Sequence, residues 1–296
     1  MKKIVIGSRG SDLALWQANF VKDELTKLGN EVEIKIIKTQ GDIIQHLSFD
    51  KMEGKGFFTK EIEAALLDKS IDLAVHSHKD LETTSPKGLI IAAVSSREDP
   101  SELLLIRKEA IDTSQKWELK KNPVVGTSSG RRKSQFIKFR PDVTLKDLRG
   151  NVPTRINKLR EGQYDAILLA RAGAKRLNLD LSDLHQVVLN PTEFIPAPAQ
   201  GVLGLQIREE DKDLKTILRK MNNSEVENRI KIERKVLNLL DGGCQLPLGV
   251  YCPDDSTAYV AFAKKWELGA VFKTFKIRNA VSIASEIVSE LNSINE

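Results

Sequence analysis

The sequence predicts an α/β protein with two similar lobes around a cleft, followed by a small α+β C-terminal domain. A short apolar strand, a polar loop and a helix start occur in the same order near residue 5 and near residue 124. A second strand pattern, an aspartate followed by apolar residues, occurs at residues 71–75 and again at residues 164–169. Because the order of elements repeats, we expect two copies of one α/β unit with a ligand site between them. Strand-like runs at 258–263 and 271–277 precede a final helix, which is typical of an α+β domain.

Composition and charge narrow the class of protein. The chain has 296 residues, of which 41% are hydrophobic and 29% charged, as expected for a soluble globular protein. The apolar run at the N-terminus is too short for a signal peptide, and no run of eighteen apolar residues occurs, so we expect a cytoplasmic protein without a membrane partner. Two cysteines, Cys244 and Cys252, form neither a disulfide framework nor a paired zinc motif. The net charge of +5 favours an anionic partner.

The first lobe begins with a buried strand at residues 4–6, a polar loop and an amphipathic helix. Ser11 is the predicted N-cap of that helix. A helix that starts after a strand presents backbone N–H groups to an anion, and Arg9 adds a guanidinium group. An ordinary strand-to-helix turn is the alternative. A strand at 32–36 follows, and the polar stretch from residue 41 to residue 61 predicts a loop over a site.

The strand at residues 71–75 leads directly into a polar stretch that ends with Lys79 and Asp80. Ligand sites of open α/β sheets gather where strands end, so these two residues are candidates for chemistry. His76 and His78 share one face of an extended chain and could ligate a metal, but the stretch offers no third ligand, so we expect no metal. A solvated turn is the alternative for the whole stretch.

The second lobe carries a dense set of arginines. It follows a crossover at residues 95–101, and its strand at 124–125 precedes a polar loop and a helix start. Eight arginines lie between residues 131 and 176, namely Arg131, Arg132, Arg140, Arg149, Arg155, Arg160, Arg171 and Arg176. Arginine binds carboxylates in a planar, two-pronged way, so the set favours a polycarboxylate ligand. A solvated basic face is the alternative for part of the set.

The return crossover and a cysteine loop complete the pattern. The proline-rich stretch 191–201 predicts a crossover, after which a strand at 202–207 rejoins the first lobe. A helix at 224–240 then leads to Gly242, Gly243 and Cys244. Glycines free the backbone and leave the thiol uncrowded, so Cys244 could be a nucleophile or a covalent attachment point. A small buried cysteine after a helix C-cap is the alternative.

Seven stretches, in order along the chain, carry a resemblance to a known family. They are GSRGS with LALWQA (7–18), KGFFTKE (55–61), HSHKD (76–80), GTSSGRR (126–132), LRGNVPTR (148–155), QG (200–201) and GGCQLPLG (242–249). Over essentially its whole length the chain resembles hydroxymethylbilane synthase, also called porphobilinogen deaminase. The resemblance implies a transferase of tetrapyrrole and heme biosynthesis that joins four porphobilinogen units head to tail, with loss of ammonia, to form hydroxymethylbilane. It also implies two lobes like those of periplasmic binding proteins.

The resemblance further implies a cofactor and a set of site residues. The cofactor is a dipyrromethane held as a thioether by Cys244. Asp80 becomes the catalytic carboxylate, which stabilises the positive charge that develops as porphobilinogen loses ammonia. The implied cofactor contacts are Lys79, Thr127, Ser128, Ser129, Arg131 and Arg132. The implied clamps for the acetate and propionate arms of the substrate are Arg9, Ser11, Gln17, Arg149, Arg155 and Arg176.

Domain boundaries, departures and rival functions complete the expectations. We expect a monomer with a first lobe of residues 1–99 and 200–218, a second lobe of 100–199 and a C-terminal domain of 219–296. The chain departs from the family pattern at Leu81, at Ser101 with Glu102, at Ala199 and at Gln206, and we expect none of these to touch Asp80, Cys244 or the arginines. A non-catalytic two-lobed anion binder is the alternative function, but it leaves the cysteine loop and Asp80 unexplained. Nucleic acid is not an expected partner, because aromatic residues make up only 5% of the chain.

Overall fold

The computed structural model describes residues 3–39, 59–243 and 245–293. Most of the predicted loop between residues 41 and 61, and Cys244 itself, lie outside the described residues. The chain divides into two compact units. Unit 1 contains residues 3–39, 59–98 and 200–228, and unit 2 contains residues 99–199 and 229–293, residue 244 excepted.

The described residues contain thirteen strands and eight α-helices. The strands are β1 (Ile4–Ser8), β2 (Val32–Ile36), β3 (Leu73–Ser77), β4 (Leu89–Val94), β5 (Glu102–Ile106), β6 (Val124–Gly126), β7 (Thr144–Lys146), β8 (Ala166–Ala170), β9 (His185–Leu189), β10 (Leu203–Arg208), β11 (Leu248–Tyr251), β12 (Thr257–Phe262) and β13 (Val271–Lys276). The helices are α1 (Asp12–Lys27), α2 (Lys60–Leu67), α3 (Gly130–Phe139), α4 (Val152–Arg160), α5 (Arg171–Leu177), α6 (Lys212–Arg219), α7 (Ser224–Leu239) and α8 (Ile283–Ser293).

Unit 1 is built on a five-stranded sheet in the order β2-β1-β3-β10-β4. The first three strands run parallel, and β10 is antiparallel to both of its neighbours. Parallel strands are usually covered on both faces, which explains why β1 and β3 are almost wholly buried. Ala18, Val21 and Leu25 of α1 join the main core of this unit, and Ile62 and Leu66 of α2 belong to a second buried cluster.

Unit 2 contains a sheet of the same plan, in the order β7-β6-β8-β5-β9. Here β6 lies between two parallel strands, and β5 is antiparallel to β8 and β9. Gly7 pairs with Ala74 in the first sheet as Gly126 pairs with Ile167 in the second. The repeat predicted from the order of elements is therefore confirmed strand by strand.

An aspartate before the third parallel strand is used identically in both sheets. Asp72 accepts a hydrogen bond from the backbone N–H of Val5 at 3.0 Å. Asp165 accepts one from the N–H of Val124 at 2.8 Å. The observed strands β3 and β8 each begin two residues later than the predicted strands.

A three-stranded antiparallel sheet, β11-β12-β13, forms the C-terminal part of unit 2. Its core contains Val236 of α7, Val250, Val260 and Ile287 of α8, all fully buried. Cys252 is 1% exposed in the same core, so it is a packing residue. The predicted fold class, two similar α/β lobes with a small α+β domain, is confirmed. Among the helices of the described ranges, none has the length and apolar character needed to cross a membrane.

Candidate active site

Asp80 and Lys79 lie just beyond the carboxyl end of β3. The strand ends at Ser77, and a 3-10 turn from His78 to Asp80 follows. Because β1 and β3 are parallel neighbours, the loop after β1 leaves the sheet at the same edge. The Asp80 side chain is exposed there, and Lys79 Nζ donates to Gln200 Oε1 at 3.1 Å. This end of the sheet therefore presents one accessible carboxylate beside a positioned ammonium group.

Buried hydrogen bonds fix the backbone that carries Asp80. Gln17 of α1 is 3% exposed, and its Nε2 donates to Ser77 Oγ at 2.8 Å. The N–H of His78 donates to the carbonyl of Val202 at 2.9 Å. The Gln17 amide therefore holds the end of β3 in place. The predicted contact of Gln17 with a carboxylate arm of the substrate stays a prediction.

The loop after β1 places Arg9 and Ser11 at this same edge of unit 1. Ser11 Oγ accepts from the N–H of Ala14 at 3.4 Å, which confirms the predicted N-cap of α1. Arg9 is partly buried in the loop between strand and helix. The first turn of α1 adds backbone N–H groups and the positive end of the helix dipole. These features suit the binding of an anion.

The corresponding loop of unit 2 contains Thr127, Ser128 and Ser129. Ser129 is the N-cap of α3 and accepts from the N–H of Arg132 at 3.4 Å. Thr127 Oγ1 accepts from the N–H of Ser129 at 3.3 Å. Ser128 Oγ donates to the carbonyl of Leu148 at 3.1 Å and accepts from its N–H at 3.0 Å. The three hydroxyl groups thus hold the loop and the start of α3 in place.

Arg131 and Arg132 converge on one buried carboxylate. Arg131 Nη2 donates to Glu102 Oε1 at 2.6 Å, and Arg132 Nη2 donates to Glu102 Oε2 at 2.7 Å. The other terminal nitrogens donate to the carbonyls of Ile195 (2.9 Å) and Leu168 (3.1 Å). Burial lowers the pKa of the Arg131 guanidinium from its ordinary value, and Glu102 opposes that shift. The expectation that Glu102 lies away from the arginines is wrong, because β5 places its first residue beside the first turn of α3.

The charges of this cluster do not cancel. Two guanidinium groups and one carboxylate sum to +1, and each of the three side chains is at least nine-tenths buried. Within the described part of the chain, Arg132 Nε is buried and has no hydrogen-bond partner. A buried charge and a buried donor without partners are both costly. A further anion at this position would remove both costs.

Arg149, Arg155 and Arg176 lie in unit 2 as well. Arg149 precedes α4 and Arg155 belongs to its first half, where its Nε donates to the carbonyl of Gly150 at 2.7 Å. Arg176 belongs to the last turn of α5 and is partly buried. The structure places all three in the unit that holds Arg131 and Arg132, and their contacts to substrate stay predictions.

Three of the eight arginines form ion pairs with aspartates of unit 2. The pairs are Arg140 with Asp142 (2.7 Å), Arg160 with Asp183 (2.7 Å) and Arg171 with Asp99 (2.6 Å). These pairs account for three arginines without a ligand, but Arg140 is buried, so a solvated basic face does not describe it.

Gln245, which follows Cys244 in the chain, packs against the start of α3. A Cβ atom at Gly130, the first residue of α3, would lie 3.0 Å from the carbonyl oxygen of Gln245. A Cβ atom at Gly243 would meet no atom within 4 Å, so space is open beside that residue. Gly242, in contrast, is confined, because a Cβ atom there would lie 2.6 Å from a methyl group of Leu246.

Comparison with known proteins identifies the family. Residues 4–216 of the 296 match the family model described as porphobilinogen deaminase, dipyromethane cofactor binding domain. The chain belongs to the porphobilinogen deaminase family. It is 44% identical over 265 residues to the porphobilinogen deaminase of Oceanobacillus iheyensis, which covers 89% of this chain and 84% of that protein. It is 42% identical to that of Chlorobium phaeovibrioides over 95% of this chain and 88% of that one.

Solved structures with weaker similarity to this chain include a binding protein. A putative methionine-binding lipoprotein from Bacillus subtilis matches with a TM-score of 0.45 and 11% identity, over 77% of this chain and 93% of that chain. The sequence matches show the membership in the porphobilinogen deaminase family.

The other departures from the family pattern occupy buried positions. Leu81 is 5% exposed and packs on Gly204. Ala199 has a left-handed backbone with φ of 61°, and its N–H donates to the buried Glu233 at 2.7 Å. Gln206 lies within the sheet of unit 1 and bonds two titratable side chains. The expectation that Leu81, Ala199 and Gln206 leave Asp80, Cys244 and the arginines untouched stays a prediction.

Gln206 links His76 to Glu63 in a buried chain that the sequence did not indicate. His76 Nε2 lies 3.0 Å from Gln206 Oε1, and Gln206 Nε2 donates to Glu63 Oε1 at 2.9 Å. Burial lowers the pKa of His76 from 6.5 to about 4, with a smaller opposing effect of Gln206. Burial also raises the pKa of Glu63. His76 is therefore neutral at pH 7 and is a hydrogen-bonding residue of the sheet that carries Asp80.

Acid is expected to destabilise the fold through His76. The pKa of His76 in the folded protein lies below its value in the unfolded chain. Its contribution to the free energy of unfolding is therefore complete above pH 6.5 and is lost as the pH falls towards 4. The free energy of unfolding should drop by about 3 kcal/mol from this group. The raised pKa of Glu63 acts with the opposite sign, since the folded protein takes up that proton more readily.

The measurement is urea unfolding at pH 7 and at pH 4.5 for the wild type and His76→Asn. The His76→Asn variant should show a shallower pH dependence than the wild type. Equal slopes in the wild type and His76→Asn would contradict the assignment.

Proposed function

We propose that this chain is a hydroxymethylbilane synthase, a transferase that joins four porphobilinogen units head to tail with release of ammonia. The observation that carries the proposal is the family match over residues 4–216, together with relatives named porphobilinogen deaminase across most of the chain. To test this, the purified protein is incubated with porphobilinogen. Two quantities are measured: the ammonia released, and the colour that forms when the product is oxidised. Binding of porphobilinogen without either product would instead favour the non-catalytic anion binder.

The proposed cofactor is a dipyrromethane joined covalently to Cys244, and the described residues of unit 2 fit such a group. Arg131 and Arg132 share one carboxylate and so leave an excess positive charge of one. Among the described residues Arg132 Nε is also a buried donor without a partner. A carboxylate of the dipyrromethane would match both the charge and the donor. Gln245, next to Cys244, packs against the first residue of α3, which supports an attachment point close to the arginine pair. When bound, the cofactor supplies the pyrrole to which the first substrate ring is joined.

Asp80 is the proposed catalytic carboxylate. Its exposed position at a strand end, on a backbone fixed by Gln17 and Val202, supports a rigid and accessible negative charge. Such a charge stabilises the cation formed when porphobilinogen loses ammonia, and it can accept or return a pyrrole proton. Lys79 is held by Gln200 beside it and would contact a carboxylate arm.

The proposed clamps for the acetate and propionate arms are Arg9, Ser11 and Gln17 in unit 1 and Arg149, Arg155 and Arg176 in unit 2. Each joined ring adds two carboxylates, so the site needs several positive groups. Guanidinium groups suit this role because their paired N–H donors match a carboxylate.

Loss of either arginine of the pair is expected to yield cofactor-free protein. Arg131→Leu or Arg132→Leu takes one of two arginine partners away from the fully buried Glu102 and removes the excess positive charge. Losing one partner of a buried ion pair typically costs about 3–5 kcal/mol, so these variants should also be less stable. Intact denatured mass should show the bare polypeptide as the main species.

The matched control for that experiment is Arg140→Leu. Arg140 is also buried in unit 2 and pairs with Asp142, but its contacts do not include Glu102. This variant should lose stability and still carry the cofactor. A fully loaded Arg131→Leu or Arg132→Leu variant with normal turnover would show that the assignment is wrong.

The sequence supports three further proposals. We propose the domain division expected from the sequence, with residues 1–99 and 200–218, 100–199, and 219–296. We also propose a monomeric, cytoplasmic protein. Light scattering on the purified protein measures the oligomeric state directly.

A further inference from the structure

Glu102 occupies a rigid position in the sheet of unit 2. It is the first residue of β5 and pairs with Ala170 of β8 on one side and Leu189 of β9 on the other. Its side chain has no exposed surface. A carboxylate without access to water is retained in a folded protein only where charged or hydrogen-bonding partners compensate its burial. The two arginine side chains provide that compensation.

Arg131 and Arg132 would not converge by helix geometry alone. They are consecutive residues of α3, and neighbouring positions on a helix point about 100° apart. Glu102 offers one carboxylate oxygen to each, at 2.6 Å and 2.7 Å. The carbonyls of Ile195 and Leu168 fix the other terminal nitrogen of each guanidinium group. Both groups are therefore held by two contacts, and the contact to Glu102 is the one that they share.

We propose that Glu102 is a positioning residue that brings Arg131 and Arg132 together as one binding element for an anionic group. The element keeps a net positive charge of one, and its Arg132 Nε has no hydrogen-bond partner among the described residues. An anion with several oxygens, such as a carboxylate, matches that arrangement. That this anion belongs to the dipyrromethane cofactor rests on the proposed function; the joining of the two arginines by Glu102 does not.

Glu102 also limits the strength of the element. Without its charge, two guanidinium groups would be buried side by side with a net charge of +2, and their repulsion would drive them apart. The negative charge of Glu102 weakens the attraction of the two arginines for an anion, and its hydrogen bonds hold the two guanidinium groups in fixed positions. Geometry rather than total charge is what a covalently attached cofactor needs, because its position must be the same at every ring addition.

The test compares Glu102→Gln, Glu102→Asp and the control Asp165→Asn with the wild type. Asp165 lies before β8, and its side chain bonds Val124 and Lys120. The readout is the fraction of the folded protein whose intact denatured mass includes one dipyrromethane. We expect Glu102→Gln to lower the ratio of loaded to unloaded protein about tenfold or more, the value of one charged hydrogen bond. Glu102→Asp keeps the charge on a side chain that is shorter by one methylene group. The fraction of this variant that carries the cofactor should therefore lie between those of Glu102→Gln and the wild type.

A second readout follows the arginines themselves, by NMR of their Nε–H groups in the Cys244→Ser background. In the presence of Glu102 the Arg131 and Arg132 signals should show restricted motion, and Glu102→Gln should release both. Loading of Glu102→Gln equal to the wild type, or equally poor loading of the folded Asp165→Asn control, would overturn the proposal. If the wild type lacked the dipyrromethane mass, the proposed cofactor would be refuted. In that case the NMR experiment still tests the positioning role, and unchanged arginine signals in Glu102→Gln would overturn it.

Discussion

Replacement of Cys244 by serine is expected to abolish turnover and to leave the protein at the mass of its bare sequence. The proposed thioether needs a thiolate, and a serine hydroxyl is a much weaker nucleophile at neutral pH. Without the attached cofactor the first porphobilinogen ring has no acceptor, so the loss of activity should be complete. Intact denatured mass and porphobilinogen consumption, measured on the same preparation, are the two readouts.

The matched control is Cys252→Ser. Cys252 is 1% exposed in the core of the C-terminal sheet, and its N–H donates to Glu233 at 2.9 Å. Serine there should lower stability by burying a hydroxyl group, yet the protein should keep both the cofactor mass and its activity. An active wild-type preparation with unmodified mass would refute covalent priming altogether.

Asp80→Asn is expected to fold normally, keep its cofactor and add rings about a hundred to a thousand times more slowly. Removal of one preorganised electrostatic stabiliser commonly has an effect of about this size. The fold should survive because Asp80 is exposed and lies beyond the end of β3. Asp80→Glu keeps the charge but moves it by one methylene group, so it should retain partial activity.

The decisive measurement for Asp80 is single-turnover ring addition on cofactor-loaded enzyme. Glu82→Gln removes a carboxylate two residues away that has no proposed role, and it should react at the wild-type rate. If Asp80→Asn also reacted at that rate, Asp80 would have no part in the chemistry, and residues 76–80 would be an ordinary solvated turn.

The site was predictable where short-range rules determine it. Ser11 follows a strand and precedes an amphipathic helix, and it is the predicted N-cap in the structure. Ser129, in the equivalent loop of the second lobe, is an N-cap as well. Asp72 and Asp165 stand at equivalent points of the sequence repeat and make equivalent bonds to the neighbouring strand. Such features depend on residues close together in the chain or on a repeated order of strands.

The partners of the buried charges were not predictable in the same way. Glu102 and Arg131 are 29 residues apart in the sequence, and His76 and Gln206 are 130 apart. A glutamate at the head of the apolar run of β5 was the available signal for Glu102, since a charge entering a buried strand requires a partner. Which partner it would find depended on the order of strands in the sheet.

The sequence by itself determined the repeated α/β plan, the helix caps, the family and the residue types that the chemistry needs. Tertiary structure decided which charges stay available to a ligand. It paired Arg160 and Arg171 with aspartates 23 and 72 residues away and left Arg131 and Arg132 sharing one carboxylate. The physical reason is that helix caps and strand periodicity are set by neighbouring residues, whereas the balance of buried charge depends on side chains that only folding brings together.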